Sequence, residues 1–313
     1  MQFKYILILI AALAIGCNDE DDIHPRQENE MSFQLPQGEH DYDEIIVDWY
    51  NNYKFYTLYK FTDRDIYWNN TQWEQGFMPG VGGNLLGKPA DPDFVGYQLD
   101  LLQQSLFDLY PDSLLAYMPL KVLLCSELWK TDYVFDYTVM GSVKDSTAIS
   151  AYKGFDYFAM NGGNKGILTI TPDDKIEMQT ALNALFLDRL CAKGMIVMPE
   201  KFATFSDYTY KYYGGEELFK HGFLSGWVLQ NGDKKASIAN DFASFMKLVA
   251  LPLKVLEAEP DTGSGTSNDP SLTGALNESR DVNKLVRKKY EVLVEYLKDL
   301  GIDMNRMQYP EFK

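Results

Sequence analysis

Apolar residues recur at intervals of three and four in several stretches of the chain, and each such stretch predicts a helix with one buried stripe. Over residues 42–53, Ile45, Ile46, Trp49 and Tyr53 keep this spacing behind acidic residues suited to a helix start. From Phe94, Leu99, Leu102, Leu106 and Leu109 repeat it until Pro111 stops the run. Leu182, Leu185, Phe186 and Leu190 predict a helix over 176–192, with Gly194 as its stop. Phe242, Phe245, Met246 and Val249 mark another over 240–249. The last, over 282–300, carries Leu285, Val286, Leu293, Leu297 and Leu300 before Gly301.

Strand patterns lie between these helices. Thr57, Tyr59 and Phe61 alternate through residues 55–61, which predicts a strand, and 121–125 is a short apolar run. Residues 167–170 read as a further strand, introduced by glycines 162, 163 and 166 and closed by Pro172, Asp173 and Asp174, which suit a helix entry. Thr62, Asp63, Arg64 and Asp65 break the pattern, and 69–92 reads as irregular. Residues 257–279, holding Pro260, Gly263, Gly265, Pro270 and Gly274, predict a long loop, a length usually functional or disordered. There is no internal repeat. Strands mixed with helices of ordinary length predict one α+β domain, a mixed sheet packed against several helices.

The start of the chain follows a different logic. Lys4 precedes an apolar run from residue 6 to 15, too short to span a bilayer, and the run closes on Ala14, Ile15, Gly16 and Cys17. This resembles a bacterial lipoprotein signal, in which the cysteine becomes the acylated first residue. Asn18, Asp19, Glu20, Asp21 and Asp22 follow, a solvated stretch that resembles the surface-export signal of Bacteroidetes lipoproteins. The expected organisation is a signal peptide over 1–16, an acidic tether over 17–38 and a folded domain over 39–313. Cys17 is the expected lipid attachment, and the expected location is the outer membrane, facing the exterior.

Charge narrows the partners. The chain carries 29 basic and 45 acidic residues, a formal charge of −16. That excludes nucleic acid as an electrostatic partner and leaves bilayer attachment to the acyl chain. Cys125 and Cys191 both sit in apolar runs and read as small buried side chains; an exported protein could also join them.

The sequence holds few signs of catalysis. Residues 162–166 lack the spacing of a phosphate loop, and no serine lies in G-x-S-x-G. Acidic pairs such as Asp63/Asp65 and Asp91/Asp93 suit glycoside hydrolysis or calcium, yet 45 acidic residues produce such pairs by chance. Aromatic clusters are more suggestive. Trp68 and Trp73, and Tyr208 and Tyr210, are the binding candidates, because exposed rings stack on sugars and anchor protein partners.

Several segments, in order along the chain, resemble the zinc-binding metallopeptidase lipoproteins of Bacteroidetes, a zincin-like group. They are IIVDWYNNY at 45–53, LYKFTD at 58–63, LAYMPLKVLL at 115–124, NGGNKGI at 161–167, PEKF at 199–202, GFLSGW at 222–227, NDFA at 240–243, KKY at 288–290 and GIDM at 301–304. The resemblance implies a zincin-like fold and a helix carrying H-E-x-x-H, whose imidazoles hold zinc and whose glutamate deprotonates the bound water. This chain departs at that motif. The corresponding helix reads LNALFLDRL at 182–190, and the three histidines are His24, His40 and His221. Asp188, Glu217, His221 and Asp241 are the remaining candidate ligands, too few imidazoles for a zinc-hydroxide site. The reading is therefore a degenerate zincin-like domain with no zinc cofactor, acting as a binding or accessory protein in nutrient capture, with a peptide, protein or glycan ligand. A hydrolase with an unusual site and a glycan-binding uptake lipoprotein are its rivals.

Overall fold

The computed structural model describes residues 33–67, 84–136, 138–209, 211 and 213–312. Pro36–Lys313 forms one compact unit. The chain of this unit runs α1 (Asp43–Tyr53), β1 (Tyr56–Leu58), α2 (Asp63–Tyr67), β2 (Asn84–Pro89), α3 (Val95–Ser105), α4 (Asp112–Leu115), β3 (Lys121–Asp136), β4 (Gly141–Ala148), β5 (Ala151–Lys153) and β6 (Tyr157–Met160). It continues through α5 (Pro172–Ala192), α6 (Glu217–Lys220), α7 (Lys234–Val249), α8 (Leu253–Leu256), α9 (Leu285–Asp299) and α10 (Met304–Gln308). This is an α+β domain with a mixed, open sheet packed against helices. Among the described residues no helix is long and apolar enough to cross a membrane.

Strand β3 organises the sheet. Its first residues lie between β1 and β6, parallel to both, with Val122 opposite Thr57 and Phe158. Val122, Leu123, Leu124 and Cys125 are all buried, as a strand covered on both faces requires. Its second half pairs antiparallel with β2 and β4, and the register with β2 shifts at Lys88/Pro89. The short apolar run thus begins a strand of 16 residues, and β4 to β6 complete the sheet.

The expected strand at 167–170 is instead a 3-10 turn over Lys165–Thr169. Asn164 causes it: its side-chain oxygen accepts from the Gly166 amide at 2.8 Å, and its amide group donates to the Ser126 carbonyl. Gly163 packs where a Cβ would fall 2.4 Å from Gln98 Oε1 and 2.5 Å from the Ala90 Cβ. The glycine run therefore seats a turn against β3 and α3. Two other expectations change. The strand over 55–61 shortens to Tyr56–Leu58, and the break at Asp63 opens the short helix α2.

Helix α5 starts at a capping box, with Thr171 and Asp174 each bonding the other's backbone amide and Pro172 at the first turn. It buries Leu182, Phe186, Leu187 and Leu190 between α3 and α7. Asn183, fully buried on the same helix, accepts from the Tyr110 hydroxyl at 2.8 Å and donates to the Ser105 carbonyl at 2.9 Å.

The 257–279 segment is irregular, as expected, but anchored. Arg280 has a fully buried side chain that donates from two nitrogens to Glu216, at 2.7 and 2.9 Å, and from a third to the Ser271 and Thr273 carbonyls. Its guanidinium lies 3.8 Å from the Phe219 ring centre. A planar fork satisfied on all edges holds a loop that has little core of its own.

Candidate functional site

Helix α9 buries Val286, Leu293 and Leu297, and one lysine shares that stripe. Lys289 is fully buried. Its ammonium donates to Asp241 Oδ2 at 2.5 Å and to the Gly222 carbonyl at 2.8 Å. Four rings surround it, with Nζ to centroid distances of 5.2 Å for Phe202, 5.2 Å for Tyr208, 4.8 Å for Phe223 and 5.4 Å for Phe245. Gly222, at φ 78°, turns its carbonyl towards the amine in a conformation a side chain would strain. The Tyr208 hydroxyl donates to the same Asp241 oxygen at 2.6 Å, while Asp241 Oδ1 has no hydrogen-bond partner among the described residues.

Burial governs the charges in this cluster. It pushes the Asp241 carboxyl above the ordinary carboxylate range, against the pull of Lys289. It pushes the Lys289 ammonium below the ordinary lysine value, against the pull of Asp241. The Tyr208 phenol rises through burial and then through Asp241. A carbonyl acceptor, a carboxylate and four ring faces together suit a cation. The cluster ties α7, α9 and the 202–223 segment at one buried point.

The same geometry shows where the candidate metal ligands lie. Asp241 is the most buried of the candidate ligands, and the Lys289 ammonium and Tyr208 hydroxyl both occupy its Oδ2. Asp188 lies exposed on α5, paired with Lys153. Glu217 accepts from Lys220 at 2.6 Å, a bond that holds its carboxyl below the ordinary value. His221 Nε2 is 4.0 Å from Glu217, and its ring stacks on Tyr213 at 3.9 Å between centroids. Among the described residues no three histidine, cysteine, aspartate or glutamate side chains group to hold a metal ion. The candidate ligands among the described residues do not come together as a catalytic zinc requires, with three protein ligands and an open position.

The aromatic candidates divide. Tyr208 is buried and bonded to Asp241, so the expectation of an exposed ring is corrected there. Cys17, Trp68, Trp73 and Tyr210 lie outside the described residues. Cys125 and Cys191 are free thiols; burial raises both, Cys191 to about 12. Lys289 escaped the sequence reading, although a lysine at an apolar position of the 282–300 stripe was its signal.

A groove lies beside α7. Met198, Lys234, Lys235, Ile238, Ala239 and Phe242 line an open groove of about 580 Å³. Residues 234/235, 238/239 and 242 share one helix face, while Ser237, Asp241 and Phe245 on the adjoining face are buried. Phe242 meets Phe202 edge-on at 5.8 Å, so the groove floor rests on a ring of the lysine cage. Lys234 and Lys235 are exposed and form no ion pair among the described residues.

No protein-family model matches this chain, and no curated protein matches it. A crystal structure described as "a putative zinc-binding metallo-peptidase from Bacteroides caccae" is similar to it at a TM-score of 0.43 and 11% identity, over 87% of this chain and 92% of that one. A likeness of that degree assigns neither a family nor an activity.

Proposed function

We propose that this chain is a cell-surface lipoprotein, anchored in the outer membrane through acylated Cys17, whose domain is a degenerate zincin-like scaffold that binds a ligand without cleaving it. The observation that carries this reading is the pairing of Asp241 with Lys289. A carboxylate suited to a metal is committed instead to a buried ammonium, and the other candidate ligands are engaged one by one at the surface. The groove beside α7 then offers a place for a ligand. Nutrient capture at the cell surface is the role that suits an anchored binding domain. The test of the anchor is fractionation of cells expressing Cys17→Ser. The variant is expected in the soluble fraction, and unchanged membrane partition would remove the lipoprotein part of the reading.

A further inference from the structure

We infer that the α7 groove takes a free single-chain anionic amphiphile, a hydrocarbon tail capped by a carboxylate or similar head. The inference rests on the binding-protein reading above and gives it a ligand class. Three observations converge. The groove holds about 580 Å³, within the range of roughly 300–1,000 Å³ typical of small-molecule sites. Its floor is Met198, Ile238, Ala239 and Phe242, which offer a tail apolar contact and a sugar or peptide backbone nothing to hydrogen-bond. Its rim carries two adjacent exposed lysines without carboxylate partners among the described residues, a local positive pair in a chain of net charge −16.

Position adds to charge. Lys234 and Lys235 begin a helix of 16 residues, whose first turn favours negative charge, although Asp233 already caps the Ala236 amide at 2.8 Å. The lysines therefore supply the larger part of the attraction. Both groups stand one to two turns from Ile238 and Phe242, so a head held at the rim directs its tail along the apolar face. A bilayer is the less suitable source of this chemistry. The domain's net negative charge opposes approach to an anionic surface, and two lysines do not make a polybasic patch.

The test titrates the purified Cys17→Ser chain, which carries no acyl group, in detergent-free buffer and below micelle formation, with octanoate, decanoate and dodecanoate. One-to-one binding is expected, tightening about fourfold per added methylene, the equivalent of ~0.8 kcal/mol per buried CH₂. Lys234→Gln/Lys235→Gln should weaken decanoate by about 3- to 10-fold and leave 1-decanol unchanged. Ala239→Trp should abolish both by filling the floor. Thermal unfolding of each variant confirms that it folds. If 1-decanol or decyltrimethylammonium binds as tightly as decanoate and is lost in Ala239→Trp, the anionic class is overturned while a binding groove stands. No saturable binding by any amphiphile, or co-sedimentation with anionic vesicles in place of free binding, overturns the inference. Chelator-sensitive peptidase activity would overturn the non-catalytic reading independently of every outcome here.

Discussion

Replacing Asp241 by asparagine tests the buried cluster directly. The wild-type carboxylate holds the Lys289 ammonium at 2.5 Å, with both side chains fully buried. In Asp241→Asn the lysine keeps the Gly222 carbonyl and four ring faces but loses its counter-charge. Breaking one side of a buried pair costs about 3–5 kcal/mol. The new amide nitrogen adds a donor near the Oδ1 position, where no acceptor lies among the described residues, a further ~1–3 kcal/mol if it stays unmet. Discharge of the lysine offsets part of this, so a loss of about 3 kcal/mol is expected. Urea unfolding reads it as a midpoint lowered by about 1 M, taking an m-value of about 3 kcal/mol/M.

The pH dependence carries the sign. Lys289 already sits below its ordinary value because of burial, and removing Asp241 takes away the group that pulls it up. In the variant the unfolded lysine, titrating near about 10.4, then binds its proton more tightly than the folded one. Stability of Asp241→Asn should therefore rise with pH towards 10, narrowing its deficit against the wild type. Replacing both partners, as Lys289→Met/Asp241→Leu, should recover most of the loss. A deficit under about 0.5 kcal/mol that ignores pH would refute the argument.

Two further outcomes follow from burial elsewhere. Leu293 on α9 is fully buried, so Leu293→Ala should cost about 2–5 kcal/mol in the same unfolding assay; a neutral result would mean that α9 is peripheral. In the Cys17→Ser chain, native labelling with a thiol reagent at pH 8 should be slow at Cys125 and Cys191, both held protonated by burial, and denaturation should release both thiols. Fast native labelling, or none after denaturation, would contradict two free thiols, Cys125 buried and Cys191 half-buried.

Periodicity made the helices legible where one face is buried. Leu182, Phe186 and Leu190 placed α5, and Val286, Leu293 and Leu297 placed α9. It failed at 167–170, because four β-branched and apolar residues fit a strand or a turn equally and a side-chain bond from Asn164 decided between them. The antiparallel half of the sheet was equally hidden. Strand β4 is Gly141–Ala148, mostly polar, and its pairing with β3 is set by backbone register rather than by an apolar stripe. At the candidate site, Tyr208 stood out as an aromatic among tyrosines, but it is buried against Asp241, 33 residues away, which is paired in turn with Lys289, a further 48 residues along. A contact of that separation leaves no local pattern. The polar residue within an apolar stripe was its trace.

The claim that the candidate metal ligands serve structure rather than catalysis is tested most directly by zinc stoichiometry. The purified chain is incubated with excess zinc, desalted and analysed for bound metal, with peptide cleavage followed before and after chelation. The account predicts well under one zinc per chain and no chelator-sensitive cleavage, because Asp241 is held by Lys289 while Asp188 and His221 are engaged at separate places. One zinc per chain, with cleavage abolished by chelation and restored by zinc, would contradict it.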